Sequence, residues 1–268
     1  MRRALDERRR GNARIEDHSQ ENILKGTMLI DTSGRAVGQV NGLTYLELGD
    51  HAFGLPVRVT ARAHVGVHGV VNIERFTELG GPIQQKGVYG LEGFLRGMFA
   101  RRFPLSFTCS ITFEQNYEGV EGDSASLAEL LTILSSLSGV PLRQDIALTG
   151  SVNQIGQVQA IGGVNQKIEG FFRSCAERGL TGTQGCLIPA SNQRYLTLRE
   201  EMTAAVAEGR FHIFSAATVD DAVELLTGMK AGTPDAEGRF PKDCVYGRVY
   251  AQLEAFDRSL TERATRRD

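Results

Sequence analysis

The 268 residues are enough for one large domain or two small ones with a substantial buried core. With 41% hydrophobic and 23% charged residues and a formal net charge of −2, the chain reads as an ordinary soluble globular protein, with no footing for nucleic acid or an anionic membrane. No apolar run approaches the roughly 20 residues that span a bilayer. The four scattered cysteines, Cys109, Cys175, Cys186 and Cys244, form no C-x-x-C pair and read as reduced core thiols of a cytosolic protein.

In chain order, residues 1–27 are polar, basic at the very start, and read as a helical linker without chemistry of its own. From Met28 the texture changes to short apolar runs broken by glycine, the pattern of strands and tight turns. Strict alternation follows: Val57, Val59, Ala61, Ala63, Val65 and Val67 on one face, Arg58, Thr60, Arg62 and His64 on the other. A glycine-weakened helix is predicted over 84–101. The clearest strand comes next, with Leu105, Phe107, Cys109, Ile111 and Phe113 facing one side.

The loop 116–123 leads into a helix over 125–138, whose apolar stripe is Leu127, Leu130, Leu131, Leu134 and Leu137 and which ends at Gly139. DIALTGSV and GQVQAIGG, joined through 153–156, read as a hairpin. A helix from Val164 stops at Gly179. GCLIPAS and RFHIFS are short strands, VDDAVELLTG is a helix, and a final helix is expected near 245–265. Strands and helices mix without a regular βαβ repeat, so the class is α+β. The main domain is 28–230, and 231–268 is a C-terminal extension.

Lys167 is the anomaly. In the helix that begins at Val164, apolar residues fall at i, i+4, i+7, i+8 and i+11, and Lys167 occupies the missing i+3 place on the stripe. One reading is that its stem packs and its head reaches the edge. The other is that burial lowers its pKa and makes the free amine a general base. Gly122-Asp123-Ser124-Ala125-Ser126 offers a partner: a serine on a tight turn at a helix start, where backbone amides can hold an oxyanion and Gly122 permits the bend. The same stretch has a plain explanation, because Ser126-Leu-Ala-Glu129 matches a capping box. Taken together, serine and lysine form a nucleophile–base pair. Thr149, at a strand end before Gly150, is the hydroxyl available to orient the ammonium.

Residues 118–172, from EGVEGDSASLAELL to VNQKIEGFF, resemble the proteolytic domain of Lon proteases, closest to the B-type subgroup whose nucleophile loop reads G-D-S-A-S. The family's serine falls on Ser124 and its lysine on Lys167, 43 residues apart as in the family. The family's T-G-x-(hairpin)-G-x-x-x-x-I-G-G signature is met by Thr149-Gly150 and by 156–163. VGQVNGLTYLELGDHAFGLP, CLIPASN and FHIFSAATVDDAVELL are similar to the same subgroup, so the likeness covers about 28–230.

The resemblance implies the Lon proteolytic fold (ribosomal protein S5 domain 2-like), with helices on mixed short sheets. It implies serine endopeptidase activity on unfolded or damaged polypeptides, a homo-hexameric ring and a cytoplasmic location. It assigns Thr149 to hold the lysine. Glu121 and Asp123 become acidic neighbours of the nucleophile that pair with Lys167 in an inactive arrangement. Complete Lon enzymes carry an AAA+ ATPase, yet no G-x-x-x-x-G-K-[ST] phosphate loop occurs in the 268 residues. The chain therefore brings no cofactor of its own, and ATP and Mg would act only through an ATPase module in cis or in trans. The basic start resembles the end of an ATPase lid helix, as expected of a piece of a longer protein.

Two other motifs suggest different chemistry. His64 and His68 share a strand face but stand about 13 Å apart in an extended strand, too far to grip one metal ion; they could meet only if Gly66 breaks the strand, and no carboxylates cluster nearby. Gly122-x-Ser124-x-Ser126 partly resembles the elbow of α/β-hydrolases, which would need a downstream histidine, and His212 alone is available. A Lon-fold scaffold without activity is the remaining rival.

Overall fold

A computed structural model describes residues 2–265. Met1 and 266–268, the extreme ends of the two terminal segments, lie outside the described residues. The chain opens with α1 (Arg2–Leu24), then β1 (Arg35–Ala36), β2 (Gln39–Leu48), β3 (His51–Val65) and β4 (Gly69–Asn72). Helices α2 (Ile73–Phe76) and α3 (Pro82–Phe99) lead to β5 (Phe107–Phe113) and α4 (Ser126–Ser138). Four short strands follow: β6 (Leu142–Arg143), β7 (Ile146–Leu148), β8 (Ser151–Val152) and β9 (Val158–Gln159). The last third holds α5 (Val164–Arg178), β10 (Gly185–Pro189), a 3₁₀ turn (Ala190–Tyr195), α6 (Glu200–Ala207), β11 (His212–Ala216), α7 (Val219–Thr227) and α8 (Val245–Thr265).

One seven-stranded sheet in the order β11-β10-β7-β2-β3-β5-β4 organises the molecule. Its centre is antiparallel through β2–β3 and β3–β5, while β11, β10, β7 and β2 run parallel. The fold is mixed as expected, but the parallel side is more regular than the sequence implied: β7, β10 and β11 are joined through α5 and α6. Crossover connections of this kind cover a sheet with helices.

Each face of the sheet carries its own core. On one, Val40, Val57, Val59 and Ala61 pack with α3, α4, α7 and α8. On the other, Leu43, Phe53 and Leu55 pack with α1, α5 and α6. The alternation of β3 holds through Ala61 and ends at Val65. Val67, expected on the buried face, is 71% exposed. Gly66 lies against Thr108, where a Cβ would sit 2.1 Å from Thr108 Oγ1, and the chain turns there into β4.

The predicted hairpin is smaller than expected. Ile146–Leu148 belongs to the main sheet, and only β8 and β9 pair with each other. The capping box at Ser126 and Glu129 is not formed either. Ser126 Oγ accepts from Val152 N–H at 2.9 Å, and Glu129 is buried, accepting from Gln84 Nε2 at 2.8 Å. Burial pushes the Glu129 carboxyl up to about 8, so it is a neutral acid at physiological pH. Helix α4 is buried nearly all round, on its polar positions as well as its leucine stripe. Its neighbours on both flanks claim the cap residues that a surface helix would keep for itself.

All four cysteines are free and buried, as their apolar settings predicted. Among the described residues no helix is long and apolar enough to cross a membrane.

Candidate active site

The parallel arrangement places one strand end where the helices of both faces meet. β7 leaves the sheet at Leu148, and Thr149 N–H still donates to Leu187 O of β10 at 3.1 Å. Beyond it the chain is stitched to the turn before α4. Gly150 N–H donates to Ser124 O at 2.8 Å, Thr149 Oγ1–H donates to the same oxygen at 3.0 Å, and Leu127 N–H donates to Gly150 O at 3.1 Å. Gly122, with φ +90°, makes the bend that brings Ser124 to this position, a conformation that residues with a Cβ rarely adopt.

Lys167 arrives from the opposite face of the sheet. It is 3% exposed, sits one turn inside α5, and its side chain crosses to the end of β7. Lys167 Nζ lies 2.7 Å from Ser124 Oγ and 3.3 Å from Thr149 Oγ1. Thr149 therefore touches both partners, donating to the backbone of one and accepting from the ammonium of the other. The depth of Lys167 is set by two facing glycines. A Cβ on Gly54 of β3 would meet Gln166 O at 2.3 Å and Lys167 Cα at 2.5 Å, and one on Gly170 would meet Gly54 O at 2.0 Å.

Burial lowers the Lys167 pKa to about 8, and the negative charge of Asp123 works against that shift. Roughly a tenth of molecules then hold the free amine at pH 7. Such an amine, 2.7 Å from a hydroxyl, can accept its proton. The backbone N–H groups of Ser124 and Ala125 donate to no acceptor among the described residues and are available to a ligand.

The acidic neighbours are engaged elsewhere. Asp123 Oδ2 accepts from Ser151 Oγ at 2.8 Å, and Glu121 Oε1 accepts from Ile83 N–H at 3.2 Å. The pairing of either with Lys167, expected for an inactive arrangement, is absent here, and the amine faces the serine.

His212 is not part of the site. It begins β11, level with Gly185 and Ile146, two strands and three residues from Thr149, which is on the order of 14 Å. Its Nε2 is 2.8 Å from Gly182 O. His64 and His68 are exposed, and among the described residues no cluster of three or more His, Cys, Asp or Glu could hold a metal. A cavity of about 320 Å³ lies on the other side of α5, lined by Glu16, Glu169, Phe172, Arg173, Arg199 and Met202 among others, and includes no residue of the serine–lysine pair.

Two features of the site leave no mark in the local sequence. The facing glycines carry no signal without knowledge of which strand lies under α5. Asn192, in a stretch otherwise noted, binds the backbone just ahead of Lys167.

Fold and site together define the class: a mixed α/β domain that holds a hydroxyl against a buried amine, the equipment of an acyl-transfer hydrolase. Residues 118–227 match the family described as the Lon protease (S16) C-terminal proteolytic domain, and this segment belongs to that family. The chain is 44% identical over 217 residues to a putative Lon protease homolog of Escherichia coli, covering 80% of this chain and 37% of that protein. It is 39% identical over 216 residues to a putative Lon protease homolog of Haemophilus influenzae, with 80% and 36% covered. An archaeal Lon protease of Thermococcus kodakarensis is 30% identical over 206 residues, with 75% and 29% covered. The chain thus spans well under half the length of these relatives.

Proposed function

We propose that the chain is the proteolytic module of a Lon-type serine endopeptidase, with Ser124 as nucleophile and Lys167 as general base. The observation that carries this reading is the 2.7 Å separation of Lys167 Nζ and Ser124 Oγ in a site that lowers the lysine pKa. The free amine takes the Ser124 proton as Oγ attacks a peptide carbonyl carbon. The oxyanion falls to backbone N–H groups at Ser124 and Ala125, aided by the start of α4. When the C–N bond breaks, the Lys167 ammonium protonates the leaving amine and an ester remains on Ser124. Water then attacks the ester, losing its proton to Lys167; as the Oγ–C bond breaks, Lys167 returns that proton to Ser124 Oγ and the carboxylic acid leaves.

Thr149 holds the ammonium between steps and fixes the Ser124 backbone. Thr149→Val removes both hydroxyl contacts while Gly150 still bonds Ser124 O. The expected result is a loss of roughly 10- to 100-fold in kcat with KM nearly unchanged, read from initial rates on one peptide.

Unfolded polypeptides are the substrate class, bound as an extended strand beside exposed backbone near the nucleophile. The relatives' greater length and the lack of a phosphate loop point to an AAA+ motor supplied in cis or in trans. No step of this reading is assigned to ATP or Mg. A hexameric ring in the cytoplasm completes the reading.

Cleavage of casein and a fluorogenic peptide, with and without ATP, tests it on wild type, Ser124→Ala and His212→Ala. Ser124→Ala should be silent and His212→Ala active. Equal cleavage by wild type and Ser124→Ala would sink the assignment.

A further inference from the structure

The backbone at 160–163 runs from β9 directly into the helix of Lys167, whose N–H donates to Gly163 O at 3.0 Å. Its middle residue, Ile161, is held by one side chain. Ile161 N–H donates to Asn192 Oδ1 at 3.0 Å, and Asn192 Nδ2 donates to Ile161 O at 3.0 Å. A carboxamide that engages both backbone groups of one residue reproduces what a neighbouring strand would supply. Asn192 is 4% exposed, so breaking this pair would strand buried polar atoms.

Asn192 is itself anchored. It lies in the 3₁₀ turn after β10, where Gln193 Nε2 donates to Ser215 Oγ of β11 at 2.7 Å. The end of that turn is tied to the first turn of α5: Asn165 Nδ2 donates to Tyr195 O at 3.2 Å, and Thr197 N–H donates to Asn165 Oδ1 at 2.8 Å. The turn thus grips the chain on both sides of the point where α5 begins. Ala160 and Gly162 flank Ile161, are both exposed, and their backbone groups have no partner among the described residues. Ile161 gives both its backbone groups to Asn192, so the open groups of Ala160 and Gly162 are the ones this segment leaves for another chain.

We infer that Asn192 is a positioning residue: it holds 160–163 as a template on which an extended polypeptide pairs, main chain to main chain, while its carbonyl is delivered to Ser124. The inference rests on the peptidase reading and deepens it. It assigns substrate recognition at this edge to peptide backbone rather than to a particular side chain, the mode of strand addition. Misplacement of such an edge by about 1 Å is enough to cost on the order of 100-fold in rate.

Asn192→Ala and Asn192→Asp test it in the intact chain, the Asp variant keeping the acceptor for Ile161 N–H but losing the donor to Ile161 O. Three quantities are measured: kcat and KM on an extended fluorogenic peptide, the rate at which a small fluorophosphonate labels Ser124, and hydrogen exchange across 157–166. Asn192→Ala should lower kcat/KM at least tenfold more than it lowers the labelling rate, chiefly through KM, and should speed exchange at Ile161. The Asp variant should fall between Ala and wild type. Parallel losses in peptide cleavage and labelling, or unchanged exchange, overturn the inference. A wild-type chain that neither labels nor cleaves overturns the peptidase reading, and exchange still decides whether Asn192 holds Ile161.

Discussion

Replacing Lys167 by Met is expected to abolish peptide cleavage and, at neutral pH, to make the protein more stable. Loss of the base removes the acceptor for the Ser124 proton and the donor to the leaving amine, for which about 10³-fold or more in kcat is the expected scale. The stability gain follows from the pKa. An ordinary lysine near 10.5 is brought down to about 8 by burial, so the fold disfavours the charged form. Below about pH 8 both folded and unfolded chains carry the proton, and the full penalty, about 3 kcal/mol, is present. Between about 8 and 10.5 the folded amine is neutral while the unfolded one is charged, so wild-type stability rises with pH; above 10.5 the penalty is gone.

Met fills a similar volume but forfeits two hydrogen bonds, leaving a net gain of about 1 kcal/mol at pH 7. Urea unfolding of both proteins at pH 7 and at pH 10.5 checks this: at the higher value the gain should be gone and the Met variant should be the less stable of the two, because the two lost hydrogen bonds remain. A Met variant that is less stable than wild type at both values would mean the lysine is charged and well compensated in its site. Wild-type peptide cleavage should rise with pH through about 8, because the free amine is the active form.

The second large effect is expected far from any reacting atom. Gly54→Ala puts a Cβ 2.3 Å from Gln166 O and 2.5 Å from Lys167 Cα, where only backbone can yield. Helix α5 must move off β3 by about 1 Å, carrying Lys167 with it. A displacement of that size costs on the order of 100-fold in rate, and the overpacking costs about 1–3 kcal/mol in stability. Gly170→Ala should behave alike, since its Cβ would meet Gly54 O at 2.0 Å. Gly97→Ala is the control: it is exposed in α3 with no heavy atom within 4 Å of the added Cβ, and should be neutral or slightly stabilising. If Gly54→Ala kept wild-type kcat/KM, the close approach would not be what sets the lysine's depth.

Lys167 and its helix were legible because a charge on an apolar stripe is a local contradiction, visible within four residues. Strand β5 and helix α4 were legible by period. What was not legible depends on partners distant in the chain. Ser126 and Glu129 match a local capping rule, yet Val152 N–H and Gln84 claim them, because α4 lies between other elements rather than at the surface. Helix α6 carries no legible stripe, because only Met202 and Ala205 of its eight residues are buried. The capping box that does form, at Thr218 and Asp221, begins the short helix α7. Ile146–Leu148 resembles one arm of a hairpin because nothing nearby says that its true neighbours are Asn41–Gly42 and Gly185–Leu187. The serine–lysine pair likewise had its members in view, but not the fact that they approach from opposite faces of one sheet.

The first helix has a mechanical meaning. Gln20 Nε2 donates to Gly170 O at 3.0 Å, Ser174 Oγ donates to Gln20 Oε1 at 2.7 Å, Arg178 bonds the carbonyls of Ile23 and Ile30, and Arg173 pairs with Glu16 and Asp17. These are contacts to α5, the helix that carries Lys167, and Gly170 is also the residue pressed against Gly54. The last two turns of α1, from Glu16 to Ile23, are thus coupled to α5. A push or twist on α1 would reach the lysine as a rigid lever, and the 2.7 Å gap to Ser124 is where that motion would be felt.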